Sequence, residues 1–211
     1  MADTGELELL GRGRRRAAYR LAGTGQCLKC YLPDALVEDS GIIAREIRKC
    51  RFDRKRNTCA AEYDCFQELK ARLPARLLAV FPEKIELVAD DKRGWCLVES
   101  EVCNHDGSSP KGFAEVYWQS GGDRRRELLA RFKDLMLDLA KYRVRFFDPP
   151  NVLVQTLGPG GEFRLRIVDF EPSSRTLIQL DRLFPVLASL KLKRRVRRFL
   201  RLQLGDDGKL A

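Results

Sequence analysis

Glycine divides residues 7–31 into three short segments, and this spacing constrains the fold more than any other feature of the chain. Leu7-Glu8-Leu9-Leu10 runs into Gly11-Arg12-Gly13, and Ala17-Ala18-Tyr19-Arg20-Leu21 runs into Gly23-Thr24-Gly25. Gln26-Cys27-Leu28-Lys29-Cys30-Tyr31 follows and is closed by Pro33. Segments this short, separated by glycine turns, predict three strands in an antiparallel meander.

Downstream the pattern alternates between helix and strand. The basic stretch Ile42 to Asn57 predicts a short helix and a loop. A helix over Cys59–Arg72 follows, capped by Asn57 or Thr58 and stopped by Pro74, with Tyr63, Phe66 and Leu69 on its buried face. Ile85–Val88 and Trp95–Glu99 predict a hairpin across Asp90–Gly94. Cys103 to Ser109 is polar and turn-rich and marks a boundary between 1–102 and 103–211. Leu128–Tyr142 has helical spacing, Val152–Thr156 and Arg164–Asp169 predict strands, and Leu177–Leu204 reads as two helices. The expected class is α+β in two lobes: a five-stranded antiparallel lobe with one main helix, then a mainly helical one.

At 211 residues the chain can bury roughly 70% of its unfolded surface, so it needs no staple to fold. Its seven cysteines are odd in number and scattered through strands and helices, which predicts reduced thiols rather than a disulfide framework. Apolar runs are short, and Met1–Leu10 carries Asp3, Glu6 and Glu8 in place of a leader segment. The expected location is therefore the cytoplasm. The net charge of +10 favours an anionic partner. The single histidine, His105, excludes histidine-rich zinc sites and paired-histidine chemistry.

Several residues carry candidate chemistry. Gly11 and Gly13 lie in a turn between strands, where backbone N–H groups can approach phosphate oxygens; an ordinary hairpin uses the same glycines. Lys29 lies on a predicted strand beside Leu28 and Tyr31, a rigid position from which an ammonium could reach phosphate. Glu62, on the following helix, could hold it. Asn151 enters one strand and Asp169 ends the next, and two such oxygen ligands suit Mg²⁺, which takes few protein ligands plus phosphates.

Cys27-Leu28-Lys29-Cys30 has redox spacing, but a strand sends its two cysteines to opposite faces. His105-Asp106 reads as a solvated turn. Lys191 to Arg201 holds seven basic residues in eleven. It reads either as a surface for an anionic membrane, nucleic acid or a phosphorylated ligand, or as a packed terminal helix with its charge in water.

The order of these parts resembles the protein-kinase-like superfamily, and more closely the bacterial YrbL-like (PhoP regulatory network) family. The resemblance rests on Leu10-Gly11-Arg12-Gly13-Arg14-Arg15-Arg16-Ala17-Ala18-Tyr19, Cys27-Leu28-Lys29, Glu62, Pro149-Pro150-Asn151-Val152-Leu153 and Val168-Asp169, and runs from about Leu10 to Leu202. It implies ATP and Mg²⁺ as cofactors. Gly11 and Gly13 would cover the phosphates, Lys29 would contact them, Glu62 would anchor Lys29, and Asn151 and Asp169 would bind the metal. The chain departs from ordinary kinases in four places. Arg16 stands where the loop's third glycine belongs, and Glu171 follows Asp169-Phe170 in place of glycine. Glu62 lies far enough from Lys29 that Glu46 is a rival anchor. Phe146 occupies the position of the catalytic aspartate; Asp148, two residues on, reads either as a substitute base or as a turn residue before Pro149-Pro150, with the turn favoured. The implied function is Mg-ATP binding with slow phosphotransfer to an unknown acceptor. The alternatives are a catalytically silent pseudokinase and a basic adaptor.

Overall fold

The computed structural model describes residues 7–33, 41–83, 85–144, 148–170 and 185–205. The protein is mixed α+β and divides into two compact units, one of Met1–Glu68 with Pro82–Glu101 and one of Leu69–Phe81 with Val102–Ala211.

The first unit is built on the glycine-punctuated meander. β1 (Glu8–Arg12), β2 (Arg16–Leu21) and β3 (Gln26–Tyr31) pair in sequence, and β4 (Ile85–Asp90) and β5 (Gly94–Ser100) form the hairpin. The sheet order is β1-β2-β3-β5-β4, antiparallel throughout. Among the described residues, two helices of this unit follow β3: α1 (Ile42–Arg51) and α2 (Thr58–Lys70). α1 is the short helix expected within Ile42–Asn57, beside the main helix α2. α1 is a second full element because Ala44, Ile47 and Cys50 recur on one face and bury. Ile47 packs with Ala17, Tyr31 and Leu32, while Leu28, Cys30 and Cys96 form a separate cluster.

Asn57 joins these pieces. Its Oδ1 accepts the Ala60 N–H at 3.1 Å, capping α2, and its Nδ2 donates to the carbonyls of Arg51 and Trp95 at 2.9 and 3.1 Å. One fully buried amide thus satisfies the start of α2, the end of α1 and the start of β5. Gly94 opens β5 with φ +73°, and a Cβ there would lie 2.2 Å from the Arg51 carbonyl oxygen. Only glycine fits at that point.

The second unit contains α3 (Ala75–Leu78), β6 (Lys111–Gly112), α4 (Phe113–Gln119), α5 (Gly122–Lys141), a 3-10 turn at Pro149–Asn151, β7 (Val152–Thr156), β8 (Phe163–Ile167) and α6 (Pro185–Leu204). Its three-stranded sheet runs β6-β7-β8. Phe113, Phe132 and Phe199 bring α4, α5 and α6 together, with ring centroids 4.4 Å apart for the first pair and 5.5 Å for Phe132 and Phe199. Arg166 is buried because it has partners: its guanidinium donates to the carbonyls of Ala79 and Phe81 at 3.0 and 2.9 Å, and the Ile167 N–H donates to Val80. These bonds tie the segment after α3 to β8.

The expected Leu128–Tyr142 helix begins earlier, at Gly122. The first of the two helices expected within Leu177–Leu204 falls largely outside the described residues. All seven cysteines are free. Among the described residues no helix is long and apolar enough to cross a membrane.

Candidate functional site

Strand register determines what surrounds Lys29. On β3 it stands opposite Ala18 of β2 and Leu97 of β5, and two residues back Cys27 stands opposite Glu99. Strand alternation puts Lys29, Cys27 and Glu99 on one face of the sheet. That face meets α2, whose Cys59 thiol donates to the Lys29 carbonyl at 3.4 Å and whose Thr58 N–H donates to the Tyr31 hydroxyl at 3.3 Å.

α2 delivers Glu62 to the same point. The Lys29 ammonium donates to Glu62 Oε1 at 3.2 Å, and the Arg16 guanidinium donates to Glu62 Oε2 at 2.7 Å. Glu62 is fully buried, while the Lys29 side chain keeps 12% of its surface exposed. Burial pushes the Glu62 carboxyl up, and the opposing charges of Lys29 and Arg16 outweigh it, holding the group below the usual carboxylate range. Glu46, the rival anchor, pairs instead with Arg15 at 2.9 Å, with both side chains substantially exposed.

Two members of this cluster were not assigned a role from sequence. Arg16 is the residue that replaces a loop glycine, and it is the second cation on Glu62. Glu99 binds Lys29 at 2.8 Å, closer than Glu62 does. It is 2% exposed, and its Oε2 has no hydrogen-bond partner among the described residues. Burial pushes its carboxyl up from the ordinary value, and the attraction of Lys29 only partly offsets that. A glutamate near a strand end reads as solvent-facing; only the β3–β5 register reveals it beside Lys29.

Gly11 lies within β1 rather than in the turn expected from sequence, because β1 runs on to Arg12; Gly13 lies in the turn between β1 and β2. Gly11 stands opposite Ala18 beside an irregularity in the β1–β2 register, with open space where a side chain would lie. The Gly13 N–H donates to the Arg16 carbonyl at 2.8 Å and so closes the turn itself. Arg12, Arg14 and Arg15 are exposed around it.

The second unit holds the other candidates. Asn151 Nδ2 donates to the Asp169 carbonyl at 2.8 Å, and the Val168 N–H donates to the Asn151 carbonyl at 3.0 Å. These bonds join the entry of β7 to the exit of β8. Asp169 lies beyond β8, whose last residue is Ile167, rather than within the strand expected from sequence. Its φ is +54°, a left-handed conformation uncommon for a residue with a side chain. Phe170 behind it is fully buried and meets Phe81 edge-on, with ring centroids 5.2 Å apart. The Asn151 amide oxygen and the Asp169 carboxylate are hard oxygen donors, one of them anionic, and fit the ligand preference of Mg²⁺. Asp148 is exposed, and its carbonyl accepts the Asn151 N–H at 2.9 Å, a turn role. Phe146 lies outside the described residues.

Cys27 points its thiol at Glu99 and is pushed up to about 12, chiefly by burial, whereas Cys30 packs with Leu28 and Cys96. His105 and Asp106 take different partners, Thr156 and Ser108.

No family model matches the chain, and no curated protein matches it either.

Proposed function

We propose that the chain is a cytoplasmic, Mg²⁺-dependent ATP-binding protein with a kinase-like division of labour, as its resemblance to the YrbL-like family implies. The observation that carries this reading is the ion pair of Lys29 with the fully buried Glu62. A buried carboxylate costs several kcal/mol to desolvate and is a poor stabilising device by itself. Its use here is intelligible if it holds an ammonium rigidly for an anionic ligand. The sheet order β1-β2-β3-β5-β4 and the basic segment Gly11–Arg16 also support the reading.

In this scheme Lys29, with Arg16 beside it on Glu62, supplies positive charge to the phosphates. Asn151 and Asp169 would hold Mg²⁺, which when bound neutralises phosphate charge. Phosphoryl transfer depends mainly on positioning and charge neutralisation. With Asp148 exposed and engaged in a turn, we assign the chain slow transfer at most, to an acceptor not identified by the site.

Thermal unfolding tests the proposal. Mg-ATP at about 100 times its dissociation constant adds about 2.7 kcal/mol, a rise on the order of 5–10 °C for a chain of this size. Asp169→Asn should abolish most of the Mg²⁺-dependent part of that rise and spare the metal-free part. Absence of any shift at millimolar nucleotide, with or without Mg²⁺, sinks the reading.

A second reading, a basic adaptor for anionic membranes, is favoured by α6. Leu192, Val196, Phe199, Leu200 and Leu204 are buried. Arg194, Arg197, Arg198 and Arg201 lie three and four residues apart and line one groove with Leu202. The two readings are compatible, because they use different residues.

A further inference from the structure

Lys29 is held by more carboxylate than an anchor requires. Glu62 on α2 is shared with Arg16, so it keeps a cation whatever Lys29 does. Glu99 on β5 has no such reserve. Lys29 is the cation bound to Glu99 Oε1; the Cys27 thiol also approaches Oε1, at 3.8 Å, and Oε2 is buried without a hydrogen-bond partner among the described residues. Arg16 and Lys29 thus face two carboxyl groups, Glu62 and Glu99, so in the ligand-free protein the lysine already has carboxyl partners.

A polyphosphate approaching Lys29 therefore meets a competitor. It must weaken the 2.8 Å bond to Glu99, and it brings further negative charge toward a carboxylate that is 2% exposed. An unpaired buried carboxylate is costly enough that such a group takes up a proton instead. The neighbours that set this balance are Lys29 and Cys27 on β3, Arg16 on β2, and Glu62 and Cys59 on α2. Glu101 lies beyond them, held by Arg20 at 2.7 Å. Arg16 is engaged by Glu62 at 2.7 Å and the other members are anionic or thiol groups, so Lys29 is the one cation of this set that binds Glu99, and phosphate competes for it.

We propose that Glu99 gates the phosphate-binding lysine: a polyphosphate draws Lys29 away from Glu99, and the Glu99 carboxylate takes up one proton from solvent as the phosphate binds. The step forms one O–H bond on Glu99 at the expense of a buffer acid and moves no other atom covalently. This inference rests on the nucleotide-binding reading and adds to it a residue that sets affinity and couples it to pH. Burial already raises the Glu99 carboxyl in the free protein, which shortens the distance to full protonation. Because binding takes up a proton, affinity weakens as pH rises.

The test is calorimetric titration of Mg-ATP into the full chain at pH 7.5, in two buffers of different ionisation enthalpy, for the parent and for Glu99→Gln. Glutamine keeps the shape and an acceptor for Lys29 but carries no charge and takes up no proton. The parent should take up a measurable fraction of a proton per nucleotide. Glu99→Gln should take up less and bind about tenfold more tightly, the change that a tenfold difference in proton affinity produces through linkage. A parent that fails to bind beside a Glu99→Gln protein that does bind also supports the gate, in its fully closed form. Equal or weaker binding by folded Glu99→Gln, with unchanged proton uptake, overturns the gate and leaves the nucleotide reading standing. Should Glu99→Gln not fold, proton uptake by the parent decides alone: binding with none overturns the gate. Failure of both proteins to bind overturns the nucleotide reading, and the gate with it.

Discussion

Glu62 and Glu46 are both glutamates following the same lysine, and the difference between them is burial. Removing Glu62 leaves Lys29 and Arg16 without their shared carboxylate inside the protein, so Glu62→Ala should cost about 3–5 kcal/mol in urea unfolding. Glu46→Ala breaks only an exposed pair with Arg15 and should cost about 0–1 kcal/mol. Similar losses in the two variants would refute the assignment of Glu62 as the anchor. The pH dependence separates Glu62 from Glu99 as well. The folded-state pKa of Glu62 lies below its unfolded value near 4.5, so its stabilisation is present above that pH and is lost as pH falls. Glu62→Gln should therefore flatten the acid limb of the stability curve. Glu99 is displaced the other way, and its contribution, full below its unfolded value near 4.5, is lost as pH rises. Of this cluster, the strand position of Lys29 and the helical position of Glu62 were legible in the sequence, because local alternation and helix periodicity fix them. Arg16 was legible only as an anomaly, and Glu99 not at all, since its partner lies 70 positions away and is reached only through strand pairing.

At the scale of elements, the β4–β5 turn and α6 show how one residue type can serve packing in one place and a surface in another. Gly94 takes φ +73° with the Arg51 carbonyl against it, so Gly94→Ala combines backbone strain with a clash against main chain. A loss of about 2 kcal/mol or more is expected from denaturant midpoints, whereas Gly23→Ala, with positive φ but open space, should lose only about 1 kcal/mol. Equal effects would mean that α1 does not abut the turn. In α6 the apolar positions are buried in the second unit, and the arginine stripe remains outside. Changing Arg194, Arg197, Arg198 and Arg201 together to glutamine should reduce binding to phosphatidylserine-containing vesicles by about 1 kcal/mol per residue, without lowering thermal stability. A parent that shows no vesicle binding at physiological salt rules out the membrane adaptor. The helical pattern of α6 was readable from sequence; whether Leu192, Val196 and Phe199 faced protein or membrane was not, because both environments reward the same spacing. α4 escaped prediction altogether, since seven residues are too few for a periodicity to stand out.

Across the whole molecule, the division into units does not follow chain order. Leu69–Phe81 belongs with Val102–Ala211. Arg166 and Ile167 secure it by donating to the carbonyls of Ala79, Val80 and Phe81. Native-state hydrogen exchange should show the amides of Leu77 and Phe81 sharing the protection of Ile167 rather than that of Leu97. Shared protection with Leu97 would contradict this division. Sequence alone determined the elements whose signal is local: the glycine-punctuated meander, the 85–99 hairpin and the long helix ending near Lys141. Each rests on turn chemistry or on periodicities of two and 3.6 residues, which neighbouring side chains write directly into the chain. Tertiary structure decided the rest. It set β3 beside β5, chose Glu62 over Glu46, brought Glu99 onto Lys29, and carried residues 69–81 to the second unit. Those outcomes depend on register and on the satisfaction of buried polar groups, which are properties of residues far apart in sequence.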